Sequence, residues 1–420
     1  MSEMKNSGLG YLGEIPSHWE IERVKNFLKF SPDRNPGNAM VLSLYREYGV
    51  VPKDSRDDNH NVTSEDTSNY RFVQEGDFVV NKMKAWQGSM AVSSFQGIVS
   101  PAYYVYRFKN DKFYKKYLHF LLRSKCYADE FRRLSAGIRI GQWDLSRNDF
   151  ESTYVAVPPL EEQRAIADYI ESQLAKVDTL IENVQLQIEQ LQRYKQAIVS
   201  KYVVEGLNPQ STKKESGIYW VGEIPAHWNV VLLSSLFSEH KKKNTGMQNQ
   251  NLLSLSYGKI KSKDINTCDG LLPESFEGYN IIDPGDIVLR LTDLQNDQKS
   301  LRTGLSTESG IVTSAYVTIR QRNSNLSAKY MHYYLHAFDV NKGFYALGSG
   351  VRQGLNFDGI RKLEMLLPPI EEQKEISSFL DQKCASVDAL IAIKQSKIEQ
   401  LEKYKKSIIY EYVTGKKEAN

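Results

Sequence analysis

Along residues 158–205 the apolar positions fall alternately three and four residues apart, at Ile170, Leu174, Val177, Ile181, Val184, Ile188, Leu191, Ile198 and Tyr202. This is the spacing of a coiled-coil seam, sustained over several heptads. The same phase returns in Leu380, Val387, Ile391, Ile398, Leu401, Ile408 and Tyr412. Laying 158–205 on 368–415, an offset of 210 with no gap, gives 21 identities. Lys195 and Lys405 interrupt the seam at matching positions, and Lys394 stands where the first copy has Val184. Pro158-Pro159 ahead of Glu161-Glu162, and Pro368-Pro369 ahead of Glu371-Glu372, read as helix starts. Proline suits the first turn, and carboxylates suit the positive end of the helix dipole. A helix unbroken from about 161 to 203 is roughly 65 Å long at about 1.5 Å per residue.

One helix cannot bury so long a stripe. Either each helix packs on its own domain or, as two related copies in one chain predict, the helices pack on each other, antiparallel, about a pseudo-two-fold axis. Val177, Ile181, Ile188, Leu191, Val387, Ile391, Ile398 and Leu401 are the expected interface.

The repeat extends beyond the helices. Gly13-Glu14-Ile15-Pro16-Ser17-His18-Trp19 returns as Gly222-Glu223-Ile224-Pro225-Ala226-His227-Trp228, Gly76-Asp77-Phe78-Val79-Val80 as Gly285-Asp286-Ile287-Val288-Leu289, and Gly137-Ile138-Arg139-Ile140-Gly141 as Gly350-Val351-Arg352-Gln353-Gly354. The offset drifts between 209 and 213 here, so loops have changed length while the helices kept register. The chain therefore reads as a tandem duplication: mixed domain 1–157, helix 158–207, mixed domain 208–367, helix 368–420. Short β-rich runs such as Tyr103-Tyr104-Val105-Tyr106 alternate with Gly and Asn/Asp breakers, which predicts α+β domains with mostly antiparallel strands. Each domain should hold one helix, near Lys115–Arg133 and near Ala328–Val340. His18-Trp19 and His227-Trp228 recur unchanged and read as packing residues.

Composition adds little until it is divided along the chain. The formal net charge is +3 over 420 residues. Residues 1–157 carry 22 Lys+Arg against 19 Asp+Glu, residues 208–367 carry 18 against 15, the helical stretch 158–207 carries 5 against 8, and 368–420 is balanced at 9 against 9. The positive surplus sits on the mixed domains and weakly favours them as the surface facing a polyanion. Three widely spaced cysteines, Cys126, Cys268 and Cys384, suggest reduced thiols rather than a disulfide framework or zinc site. No window approaches the roughly 18 apolar residues of a membrane span, and the start lacks a signal-peptide core, so a cytoplasmic location is expected.

The Gly-x-Ile-Pro-x-His-Trp opening, the Pro-Pro-Leu/Ile-Glu-Glu-Gln helix start and the Val-Asp-x-Leu-Ile continuation each occur twice, in order and in register. With the half-chain repeat, they resemble the specificity subunit of Type I restriction–modification enzymes over nearly the whole chain. The resemblance implies two target-recognition domains joined by two long helices in an antiparallel coiled coil, each domain reading one half of an asymmetric, bipartite site on double-stranded DNA. It implies that the helices set the unread spacer and dock two modification methyltransferase subunits, joined by two restriction/translocase subunits. S-adenosylmethionine then belongs to the methyltransferase, and ATP and Mg²⁺ to the motor. No cofactor or metal is expected in this chain.

Reading base edges requires forked donors and acceptors, Arg or Lys for guanine and Asn or Gln for adenine. In the first domain, Lys82, Lys84, Trp86 and Gln87 follow a strand and mix cations, an amide and an aromatic. Arg290, Thr292 and Gln295 stand in the corresponding place of the second domain, differing at nearly every residue. Arg139 with Gln142, and Arg352 with Gln353 and Asn356, form a second pair of candidates, where flanking glycines permit close backbone approach. Loops that differ between two otherwise similar domains imply two different half-sites.

Catalytic signatures are missing. There is no phosphate-binding Gly-x-x-x-x-Gly-Lys-Ser/Thr loop. The Pro-Pro pairs follow Val157 and Leu367, not the Asn or Asp an amino-methyltransferase needs, and Pro32-Asp33 lacks the acidic-x-Lys of a nuclease core. His332 and His336 have helical spacing but lack the Glu of a zinc site. The expectation is a non-catalytic recognition subunit; the alternatives are a specificity subunit of another phage-defence system or a coiled-coil scaffold that binds only proteins.

Overall fold

The computed structural model describes residues 3–46, 48–55, 63–137, 143–265, 273, 275–294, 297, 301–347 and 354–419. The chain divides into two compact units, Met1–Val184 with Ser396–Asn420, and Gln185–Gln395. The division cuts through both long helices, Leu160–Glu205 and Ile370–Val413, so each unit holds one mixed domain and a stretch of each helix. Among the described residues, no helix is long and apolar enough to cross a membrane.

In the first unit a four-stranded antiparallel sheet runs in the order Leu28–Phe30, Tyr103–Phe108, Phe78–Asn81, Met90–Val92. All four residues of Phe78–Asn81 are buried, as an inner strand covered on both faces requires. A hairpin pairs Leu42–Tyr45 with Gly49–Pro52, and Arg71–Val73 pairs with Gly97–Val99. The strand Glu20–Arg23 pairs with Tyr154–Val157, closing the domain and delivering the chain to Pro158-Pro159 and the first long helix.

The second unit repeats this plan. Its sheet runs Phe237–Glu239, Val317–Gln321, Ile287–Leu289, Thr303–Leu305, and Asn229–Leu232 pairs with Glu364–Leu367. The hairpin Leu252–Ser256/Lys259–Lys263 joins Gly310–Val312 and Asn280–Ile282 in a second four-stranded sheet. Among the described strands, Leu252–Ser256 and Gly310–Val312 form the one parallel pair. The helix expected near Lys115–Arg133 is two, Lys115–Arg123 and Lys125–Leu134. Ser124 breaks it by adopting extended backbone, with its hydroxyl donating to the Leu121 carbonyl at 2.7 Å. Its counterpart Ala328–Val340 is continuous, capped by Ser327.

The two duplicated motifs meet in each unit. Trp19 is buried, and its Nε1 donates to Glu162 at 3.0 Å, while His18 lies 2.8 Å from the same carboxylate. Trp228 and His227 engage Glu372 likewise, at 2.7 and 2.6 Å. The tryptophans are packing residues as expected; the half-exposed histidines act through the helix-start carboxylate instead. Gln163, buried in the first turn, accepts from the Tyr114 N–H and donates to the Lys112 and Pro158 carbonyls. Gln373 holds Ser327 and Pro368 in the same way.

The helices pair antiparallel within each unit. In the first, Lys405 Nζ reaches Asp178 at 2.5 Å and the Tyr169 and Tyr412 rings lie 4.5 Å apart. In the second, Lys195 reaches Asp388 at 2.6 Å, Tyr202 packs on Phe379 at 4.7 Å, and Lys394 bonds Gln187 at 2.6 Å. Asp178–Lys405 and Tyr169–Tyr412 of the first unit have Asp388–Lys195 and Phe379–Tyr202 as their counterparts in the second, so each unit repeats the other's pairing. Val177, Ile188 and Val387 are buried, and Ile181, Leu191, Ile391, Ile398 and Leu401 half-buried. Each domain also grips a helix end: Tyr117 donates to the Val413 carbonyl at 3.2 Å, and Tyr330 to that of Val203 at 2.9 Å.

Candidate nucleic-acid interface

The candidate loops grow out of the central strands. In the first unit the chain leaves Phe78–Asn81 and turns through Met83, whose N–H donates to Asn81 Oδ1 at 3.1 Å, into a short 3-10 turn at Ala85–Gln87. Gly88 ends the turn at φ 77°, the left-handed region that glycine enters without a Cβ clash. Buried Ala85 anchors this turn, which leaves Lys84 exposed and Lys82, Trp86 and Gln87 half-exposed. Lys82 is paired with Asp144 at 2.8 Å, and Trp86 meets Trp143 edge-on at 4.9 Å, with Arg132 over the Trp143 ring at 5.3 Å. Neither Asp144 nor Trp143 was singled out by the sequence. Nothing in their local pattern marks them, because their partners lie about sixty residues away.

Arg139 and Gln142 lie outside the described residues, as do Gln295, Arg352 and Gln353. The flanks are described and place the bases of these segments. Ala136 and Asp144 bridge antiparallel, and the Leu145 N–H donates to the Lys82 carbonyl at 3.0 Å. In the second unit the Leu355 N–H donates to the Leu291 carbonyl at 2.8 Å. The two hydrogen bonds occupy equivalent positions in the repeat. Each unit therefore joins its strand-following loop to the base of its glycine-flanked arginine segment.

The second loop is built on different chemistry. Arg302 is fully buried, and its guanidinium donates to the carbonyls of Thr292 at 2.6 Å, Asp293 at 3.3 Å, Arg290 at 3.4 Å and Asp297. Its backbone N–H donates to Asp339 Oδ2 at 2.5 Å, and its Nε to the Tyr345 hydroxyl at 3.4 Å. Burial raises the Asp339 carboxyl to about 6, opposed by the Arg302 N–H and charge. This internal cation shapes the backbone that carries half-buried Arg290 and exposed Thr292. Arg290 itself lies 3.6 Å from Asp297. Asn356 is exposed, but its Oδ1 accepts from the Gly359 N–H at 3.0 Å and caps the helix Phe357–Ile360, as Ser146 caps Arg147–Ser152. That oxygen has a structural role as a helix cap.

Other titratable clusters are structural. Burial lowers His332 to about 3 and His336 to about 4, so both are neutral packing groups at ordinary pH. His240, Asp283 and Asp286 offer ligand atoms within 4.8 Å of one another. Arg320 already binds both carboxylates, at 2.8 and 2.6 Å, and supplies the charge a cation would bring. Cys126 and Cys384 are buried free thiols.

The family described as the Type I restriction modification DNA specificity domain matches residues 16–190 and again 227–403. The Type I restriction enzyme MjaVIII specificity subunit of Methanocaldococcus jannaschii is 26% identical over 421 residues, covering 96% of this chain and 93% of that one. The MjaX specificity subunit of the same organism is 25% identical over 431 residues, covering 96% and 95%. A solved chain from work on complex assembly and conformational transition of the type I R-M system shares the fold, with TM-score 0.64 at 15% identity over 95% of this chain and 98% of that one. The His-Trp pair and the helix-start carboxylate of each copy fall inside the matched segments, and the chain belongs to the Type I restriction–modification specificity subunit family, with two DNA specificity domains.

Proposed function

We propose that this chain is the non-catalytic reader of a Type I restriction–modification complex, each domain recognising one half of an asymmetric, bipartite site on double-stranded DNA. The observation that carries this reading is the pair of equivalent hydrogen bonds, Leu145 to Lys82 and Leu355 to Leu291, which join divergent loops on a repeated scaffold. A conserved frame with different loop chemistry, a 3-10 turn and tryptophan pair in one unit and a buried arginine in the other, suits two different half-sites. The paired helices act as the spacer element and as the dock for two methyltransferase subunits, which two restriction/translocase subunits join. S-adenosylmethionine is bound by the methyltransferase, and ATP and Mg²⁺ by the motor; the chemistry takes place in those partners, in the cytoplasm.

The test is to express the chain with its genomic neighbours in a host that lacks DNA methylation and to sequence the DNA by a modification-sensitive method. One motif with two unlike specified halves around an unspecified gap is the expected result. No new methylation, despite a purified complex with the methyltransferase, would sink the reading and favour a protein-binding scaffold.

A further inference from the structure

Two arginines of the first unit lie over Phe30, and a third stands opposite one of them. Arg34 and Arg71 are bridge partners on antiparallel backbone, so their side chains are cross-strand neighbours. The Arg71 guanidinium lies 5.0 Å from the centre of the Phe30 ring, and that of Arg147 lies 4.8 Å from it. Like charges directly opposed across a strand pair repel. Burial, then the charges of Arg34 and Arg147, weaken the hold of Arg71 on its proton.

Among the described residues, no carboxylate pairs with Arg71. Asp33 and Asp77 are engaged by Arg107, and Glu151 lies 3.4 Å from Arg147. Arg34 donates to the Asn69 side chain. Among the described residues, the Arg71 Nε is buried and has no acceptor. Such an arrangement costs stability in the free protein.

The cluster adjoins the loops described above. Tyr104 packs against Phe30 at 6.3 Å, and its hydroxyl donates to the Leu145 carbonyl at 3.3 Å, next to the Lys82–Asp144 pair. In the second unit the corresponding bridge joins Lys243 to Asn280, and Lys243 donates to the Gly278 carbonyl at 2.8 Å. Glu239 and Phe357 stand there in place of Phe30 and Arg147. The cluster belongs to one domain only.

We propose that Arg34, Arg71 and Arg147 form a binding site for one DNA backbone phosphate beside the recognition loops of the first domain. Several guanidiniums around one point suit an anion, whereas a guanine edge takes a single fork. A phosphodiester supplies the counter-charge that the cluster lacks and relieves the repulsion between Arg34 and Arg71. The inference rests on the DNA-recognition role and adds where the first domain holds the backbone.

The experiment compares the full chain, in complex with its methyltransferase, with Arg71→Gln and Arg71→Lys variants. Duplex affinity is measured across a salt series, using a target duplex and an unrelated one. Arg71→Gln should weaken both duplexes by a similar factor of about tenfold and reduce the slope of log affinity against log salt by about 1. Arg71→Lys should keep most of the slope, and the methylated motif should stay unchanged. If Arg71→Gln does not fold, Arg34→Gln, on an exposed side chain, carries the same expectation. An unchanged affinity and slope would overturn the site, and relaxed specificity at one half-site with an unchanged slope would make it a base reader instead. A wild-type complex that binds neither duplex would defeat the DNA-recognition reading itself, and this inference with it.

Discussion

Arg302 organises the candidate loop of the second domain from inside the protein, so its loss should be felt strongly. Removing its guanidinium takes donors from the carbonyls of Thr292 and Arg290 and a positive charge from beside Asp339, while the backbone N–H of residue 302 still donates to that carboxylate. Arg302→Ala should cost about 3 kcal/mol, measured by chemical denaturation. Asp339 adds a pH dependence of defined sign. Its folded pKa, raised to about 6, lies above the ordinary value of 3.8, so the folded state binds the proton more tightly. Its contribution to stability is present below about pH 4 and is lost as pH rises to about 6. Asp339→Asn should flatten that part of the stability profile in melts across pH. Neither residue stands out in the sequence, where Leu301-Arg302-Thr303 reads as an ordinary polar strand start. Arg302 becomes a buried cation only because the carbonyls of Arg290 and Thr292 and the Tyr345 hydroxyl, distant in sequence, come together around it.

The helices were legible because periodicity is local. The seam lysines were visible only as interruptions, and the structure gives them partners: Lys405 takes Asp178 and Lys195 takes Asp388, each aspartate belonging to a duplicated Val-Asp pair. Polar contacts inside a seam specify register, since a shifted pairing leaves them unpartnered. Lys405→Asp alone should lower the melting temperature, and adding Asp178→Lys should restore most of it; a double-mutant cycle that shows no coupling would remove the pair from register control. Leu191→Asp with Leu401→Asp should cost about 2 kcal/mol or more at each half-buried site and release the methyltransferase on size-exclusion chromatography. Survival of that complex would show that the seam is not the dock. The break at Ser124 was not legible, because residues 115–133 keep an amphipathic pattern across it and the serine bends the chain through one side-chain hydrogen bond.

For the chain as a whole, duplication and divergence carry the functional consequence. Changing Arg352 and Gln353 together should alter methylation at one half-site and leave the other half-site and assembly intact, as read by modification-sensitive sequencing. Unchanged methylation would remove that segment from the reading surface. The tandem plan, the long helices, the mixed domains and the family were all present in the order of residues, because repetition and heptad spacing are properties of a line. The pairing of Trp86 with Trp143, the cap at Asn356, the buried Arg302 and the opposed Arg34 and Arg71 were not. These depend on which distant segments share a surface, and a side chain acquires a partner, or lacks one, only after strands and helices far apart in sequence have packed together.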